Sequence, residues 1–442
     1  MALASGHWIR KEVKGETPNP RHGHALTVAR NIAFMFGGCF FHNSSDDQPT
    51  YFNDFYMLTI SSTNLTWEKI PQNGCIPCPR QGHTLCVVKG KIYLFGGCSS
   101  KNAERCLPGV YTFDLGSLTW QKITTTGIAP QTLNHSSAVV GGNIYVYGGM
   151  QYGKGVDDLH VFNTVSLSWT PVKTSGSDPG ARSGQAFAAI GEIIYMFGGC
   201  SGEDEYCSDV FALDTVLLTW QKCEVKGEKP IGRSHHTFTA HHDKDIYLFG
   251  GTSKSKDGIK SPMNDIMKLS LARMKWKMPL YVGIPPACRQ NHVAFILHSH
   301  LYIFGGVNEE EFNDLMGMKL INPSDRQPIM KEILSELGIQ GINSSAKAEL
   351  VQMTMAFQHE KDQYDKHYEN QQKELQEMIE KHKGQNEAWL RARAEENDKE
   401  RKELYQLREE ILHDQERLRG EQQSIQQRNQ QLLSIMQQFK GM

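Results

Sequence analysis

The chain has 442 residues, with 47 Lys and Arg against 49 Asp and Glu and a formal net charge of −2 at pH 7. That balance excludes the strongly basic surface that nucleic acid or an anionic membrane selects, and no run of about 18 apolar residues is present to cross a bilayer. The opening MALASGHWIRKEVKGE lacks the apolar centre of a secretory signal, and ten scattered cysteines suit a reducing compartment, so a cytoplasmic protein is expected.

The first element is a short strand around Trp8, in His7-Trp8-Ile9-Arg10-Lys11. A repeat follows. A Gly-Gly pair closes an apolar strand six times, at Gly37-Gly38, Gly96-Gly97, Gly148-Gly149, Gly198-Gly199, Gly250-Gly251 and Gly305-Gly306, with successive spacings of 59, 52, 50, 52 and 55 residues. The residues before each pair, such as Ile92-Tyr93-Leu94-Phe95, are β-branched and aromatic and predict strands. A second apolar run follows each pair, then a polar turn and, in five repeats, a tryptophan: Trp67, Trp120, Trp169, Trp220 and Trp276. A further strand, opened by Arg-x-x-His or a variant, precedes each pair. Four strands in each period of about 50 residues predict an all-β propeller of six blades.

The Arg-x-x-His opening, the Tyr-x-Phe-Gly-Gly strand end, the Asn-Asp strand and the closing Thr-x-x-Trp together resemble the kelch-repeat family, over roughly residues 8 to 321. The sixth repeat ends at Phe312-Asn313-Asp314-Leu315 with no tryptophan after it, while Trp8 has no blade of its own. The N-terminal strand is therefore expected to be the outer strand of blade six and to close the ring, leaving no open edge. The propeller is assigned residues 1–321.

Within a blade most repeated residues predict scaffold. The glycine pairs suit backbone conformations that residues with a Cβ avoid, and the six tryptophans suit packing between neighbouring blades. His24, His83, His135, His236 and His292, with Gln185 in blade four, recur once per blade. They are expected to stand apart around the ring and to lock each blade by side-chain-to-backbone bonds rather than to gather a metal; no metal or cofactor is expected. Cys75-Ile76-Pro77-Cys78 has no second pair at zinc spacing. Cys98 and Cys106, and likewise Cys200 and Cys207, share one loop each, and are expected to meet as thiols.

Strands that alternate direction place the loops after the second and fourth strands on one face. These are the long ones: Cys39–Phe52, Cys98–Gly109, Gly202–Ser208 and Thr252–Met263. Binding concentrates where a rigid frame displays variable loops. Arg21, Arg80, Arg182, Arg233 and Arg289 open the innermost strands near the mouth of that face, with Thr132 in blade three. In some kelch propellers the matching arginine contacts acidic peptides, so these five are candidate partner-binding residues; the structural alternative is that each braces a loop.

After Asn322-Pro323-Ser324 the composition changes. Residues 322–345 read as a linker with a short helix over Ile329–Gly338, and residues 346–440 as a proline-free helix with sixteen basic and nineteen acidic residues in 347–442. Tyr364, Tyr368, Leu375, Met378, His382 and Trp389 follow steps of three and four. Leu404, Ile411, Leu418, Ile425, Leu432 and Phe439 recur every seven residues, beside a polar seam of Arg408, Gln415, Gln422 and Asn429. That pattern predicts a coiled-coil tail that joins copies of the chain.

A non-catalytic interaction scaffold is the expected function: propeller loops bind a protein partner, the tail homo-oligomerises, and neither nucleic acid nor membrane insertion is involved. The combination resembles Rab-effector-like kelch proteins and fungal polarity factors, which points to trafficking or the cytoskeleton. A ubiquitin-ligase substrate receptor is the alternative, although no segment long enough for a BTB or F-box module precedes Trp8. Kelch-like enzymes that use copper or iron are a third class. The Glu-x-x-x-Asp-x-x-x-His arrangement of iron-dependent specifier proteins is absent from the sequence.

Overall fold

The structure, a computed structural model, describes residues 6–41, 48–61, 64–100, 106–202, 205–242, 244–255, 257–320, 395 and 397–436. The chain divides into two units, Met1–Leu337 and Gly338–Met442. The described residues of the first, between 6 and 320, form a six-bladed β-propeller.

Blade two shows the common plan. Gln81–Val88 is innermost, followed outward by Lys91–Cys98, Val110–Asp114 and Thr119–Ile123, each antiparallel to the last. The linker leading into the blade adds Asn73–Gly74, parallel to the outermost strand, which covers the exposed edge. In blade six the three later strands Val293–Leu297, His300–Phe304 and Leu315–Leu320 are completed by Gly6–Arg10, with Trp8 opposite Met318. First and last segments of the propeller therefore share one sheet.

The apolar core lies between blades rather than at the ring's centre. Six buried clusters are present among the described residues, and each draws on two adjacent blades. At every interface the tryptophan of one blade lies on the aromatic residue just before the Gly-Gly pair of the preceding blade. The ring centroids are 5.0 Å apart for Trp67 and Phe304, 5.4 Å for Trp120 and Phe36, 5.3 Å for Trp169 and Phe95, 5.3 Å for Trp220 and Tyr147, 5.3 Å for Trp276 and Phe197, and 5.6 Å for Trp8 and Phe249. The glycine pairs make this closeness possible. Gly96 has φ of +71°, and a Cβ there would stand 2.4 Å from the His135 ring and 2.7 Å from the Thr132 carbonyl of the next blade.

Around the axis runs a closed ring of backbone hydrogen bonds, one per blade. The amide of Gly82 donates to the Gly23 carbonyl (2.9 Å), Asn134 to Gly82 (2.9 Å), Gly184 to Asn134 (2.9 Å), His235 to Gly184 (2.7 Å), Asn291 to His235 (3.0 Å) and Gly23 to Asn291 (3.0 Å). All six residues are left-handed, with φ from 53° to 67°, which explains the Gly, Asn and His at this position. The turn aims each N–H at the neighbouring blade.

In the second unit, residues 397–436 form one helix whose residues are all exposed. The expected linker 322–345 and the first heptad stretch, Tyr364 to Trp389, lie outside the described residues, as does Phe439. Among the described residues no helix is long and apolar enough to cross a membrane.

Candidate functional site

The loops after the second strands fold as small ribbons on one face. Cys39–Phe40 pairs with Thr50–Tyr51, Met150–Gln151 with Lys154–Gly155, Cys200–Ser201 with Glu205–Tyr206, and Thr252–Lys254 with Lys260–Pro262. Isolated bridges Cys98↔Cys106 and Val307↔Glu311 do the same in blades two and six. The ribbons of blades three to six surround a basin of about 910 Å³ over the axis, walled by Ser183, Ser234, Thr252, Gln290 and Asn308 among others. Such a wall offers hydrogen-bond donors and acceptors rather than a greasy cleft. Exposed apolar residues stand on the ribbons of this face, Tyr152 at 71% and Ile259 at 67% exposure.

The five arginines lie beneath this face, each with its Nε and Nη1 donors bonded to backbone carbonyls. Arg21, Arg80, Arg182, Arg233 and Arg289 are all buried. Each Nε donates to the carbonyl two residues earlier, and each Nη1 donates to the carbonyl of the first glycine of its own pair: Gly37, Gly96, Gly198, Gly250 and Gly305. Three also grip a carboxylate with both arms: Arg21 on Asp54 at 2.5 and 2.9 Å, Arg233 on Asp265 at 2.6 and 2.8 Å, and Arg289 on Asp314 at 2.7 and 3.0 Å. Arg21 and Arg289 lie 4.2 Å from the rings of Phe52 and Phe312. The sequence placed the arginines beneath the loop face but could not show that their Nε and Nη1 donors are already bonded. Arg21→Ala is accordingly expected to cost about 2–4 kcal/mol, because it leaves the Asp54 carboxylate and the Gly37 carbonyl without their donor. Chemical denaturation measures it, and a wild-type midpoint would sink the bracing role.

The histidines do not stand apart. His24, His83, His135, His236 and His292 form one layer around an axial cavity of about 130 Å³, and Gln185 completes it. Each ring lies against the aromatic residue that the tryptophan also touches, 5.6, 5.7, 5.4, 5.4 and 5.3 Å from Phe304, Phe36, Phe95, Phe197 and Phe249. The backbone bonds of His83 and Gln185 cross between blades, with His83 Nε2 3.1 Å from the Phe36 carbonyl and Gln185 Nε2 donating to Tyr147 at 2.8 Å, whereas His135 Nδ1 lies 3.2 Å from the Thr132 carbonyl of its own blade. Symmetry of the repeat gathers them at the axis, yet turns each toward its neighbour. Among the described residues no group of three or more His, Cys, Asp or Glu could hold a metal.

One constellation was missed. Cys39 Sγ is 3.2 Å from His22 Nε2, and His22 Nδ1 is 3.5 Å from Glu311 Oε1. The order of thiol, imidazole and carboxylate resembles a nucleophilic triad, but Cys39 is fully buried and donates to Gln81 Oε1 at 2.8 Å. Burial, with Glu311 and Cys98 adding, holds its thiol far above the ordinary range, so it stays protonated and unreactive. No sequence signal links these residues, since they come from opposite ends of the propeller. Cys98 and Cys106 face each other as bridge partners and remain free thiols. Cys200 pairs with Tyr206 instead, and Cys207 is bonded to Ser201.

Comparison with known proteins agrees with this geometry. The KLHDC2/KLHL20/DRC7 Kelch-repeats domain matches residues 40–251 and 134–327. Kelch domain-containing protein 3 of Bos taurus is 25% identical over 327 residues, covering 69% of this chain and 82% of that protein. Tip elongation aberrant protein 1 of Schizosaccharomyces pombe is 32% identical over 206 residues, 44% of this chain and 18% of that one. Host cell factor 2 of Homo sapiens is 27% identical over 266 residues, 55% and 32% respectively. Among solved structures, "Structure of YjhT" superposes with a TM-score of 0.56 at 17% identity, over 68% of this chain and 95% of that one, a likeness of fold.

Proposed function

The chain belongs to the kelch-repeat family, and on that premise we propose that it is a non-catalytic cytoplasmic scaffold that binds a protein partner on the loop face and self-associates through its tail. The observation that carries the reading is the 910 Å³ basin drawn from four blades, rimmed by ribbons that bear exposed Tyr152 and Ile259. A polar floor with apolar rim residues suits a polypeptide, whose backbone needs hydrogen-bond partners and whose side chains need apolar contact. The opening arginines serve as braces under that face. The buried Cys39 supports the non-catalytic reading.

The tail contributes avidity. Leu404, Ile411, Leu418, Ile425 and Leu432 are 51–66% exposed at seven-residue intervals along one helix, an apolar stripe of the kind that a second copy covers in a coiled coil. Two copies joined this way turn two weak propeller contacts into one avid one. The test uses full-length chains. Tyr152→Asp with Ile259→Asp is expected to lower capture of cellular partners about tenfold, while Val165→Asp with Leu217→Asp on the opposite face leaves it unchanged. Ile411→Lys with Leu418→Lys is expected to give monomers in sedimentation. Equal capture by both propeller variants overturns the loop-face reading, and an unchanged mass overturns the tail reading.

A further inference from the structure

Blade three lacks the opening arginine, and the place that arginine fills elsewhere is open. A cavity of about 140 Å³ is lined there by Pro130, Thr132, Gly148, Val156, Asp158 and His160 among others. Repeat position by repeat position, these are the groups that hold the arginine in the other blades. Pro130 stands where Asn19, Cys78, Gly180, Ile231 and Ala287 accept from Nε, and Gly148 where Gly37, Gly96, Gly198, Gly250 and Gly305 accept from Nη1. Asp158 stands where Asp54, Asp265 and Asp314 take both arms. His160 has the place of Tyr56, Tyr111 and Phe211, whose rings lie 5.6, 5.4 and 5.3 Å from the guanidinium carbons.

Among the described residues nothing replaces the missing cation. Thr132 is buried and its hydroxyl is 3.1 Å from His135 Nδ1, so it is engaged away from the acceptors. Asp158 is exposed and has no ion-pair partner among the described residues. Two blades show that the carboxylate is an optional part of the holder. Blade two has Gly109 in its place, and in blade four Asp209 pairs with Lys222 and Lys229 instead. Blade three has the reverse combination: the complete holder without the arginine.

We propose that the blade-three cavity receives an arginine side chain of the partner protein, its guanidinium taken by the Gly148 and Pro130 carbonyls and the Asp158 carboxylate. Planar, bidentate capture of this kind distinguishes Arg from Lys. The inference rests on the loop-face reading, because the cavity lies between a linker and a ribbon of that face.

The test is saturation-transfer NMR on the full-length protein with N-acetyl-arginine methylamide, the neutral citrulline analogue, the lysine analogue and free arginine. The arginine amide is expected to bind at roughly millimolar affinity, and the citrulline and lysine amides about tenfold more weakly. Free arginine is expected to bind more weakly than the amide, because its own α-carboxylate repels Asp158; tighter binding of free arginine would overturn the assignment to a protein side chain. Asp158→Asn is expected to lower binding about tenfold. Thr132→Arg, which supplies the cation internally, is expected to abolish binding and raise the melting temperature. Arginine binding unchanged in Asp158→Asn, or matched by citrulline, overturns the proposal even if Thr132→Arg fails to fold. Partner capture by the ribbon variants is scored separately, so the loop-face reading survives that result.

Discussion

Deleting residues 1–10 is expected to abolish the cooperative unfolding transition of the propeller. The loss has two parts. Trp8 is 2% exposed and packs 5.6 Å from Phe249 and 6.4 Å from Tyr281; removing a buried aromatic of this size costs about 3–5 kcal/mol. The ladder from Gly6 opposite Leu320 to Arg10 opposite Met316 also goes, which bares the edge of Leu315–Leu320 and the apolar face of blade five. Domains hold only about 5–15 kcal/mol in total, so the sum suffices to unfold the ring. Trp8→Ala, which keeps the ladder, is expected to show the first part alone. Near-UV circular dichroism against temperature measures both, and an unshifted transition in the deletion would refute closure as a source of stability.

A second large effect is expected from mild acid. Burial holds His24, His83, His135, His236 and His292 below the ordinary imidazole value of 6.5, with Arg21, Arg80, Arg233 and Arg289 adding to it for His24, His83, His236 and His292; His135 is brought to about 4 and His292 to about 3. The folded state therefore keeps these rings neutral where the unfolded chain binds protons. Stability from this source is fully present above pH 6.5 and falls as the pH drops from 6.5 toward the folded values. Each ring contributes about 1.4 kcal/mol of loss by pH 5.5, so the five together remove about 7 kcal/mol. Melting temperatures at pH 7.5 and 5.5 measure it. Gln185 shows that an amide fits the same place, so His83→Gln is expected to fold and to remove about one fifth of the loss that these five rings contribute. Equal melting temperatures at the two pH values would show that these rings are protonated in the fold or solvated there.

The count of blades and the closing role of Trp8 were legible in the chain, because each blade is a local unit whose strands, turns and tryptophan follow one another in order. Six glycine pairs in phase and one displaced tryptophan suffice to number the ring. The loop face was legible for the same reason, since strand alternation alone puts those loops on one side. What Arg21 does was not legible: its partners are the Gly37 carbonyl, 16 residues away, and Asp54, 33 residues away, and a list of residue types cannot tell a bonded fork from a free one. The histidine layer, the Cys39–His22–Glu311 contact and the cavity beside Thr132 belong to the same class. Each depends on which atoms of distant segments meet once the ring has closed, and burial then decides whether a donor is spent on the fold or left for a partner. In five blades the arginine is spent. In blade three the acceptors are left over.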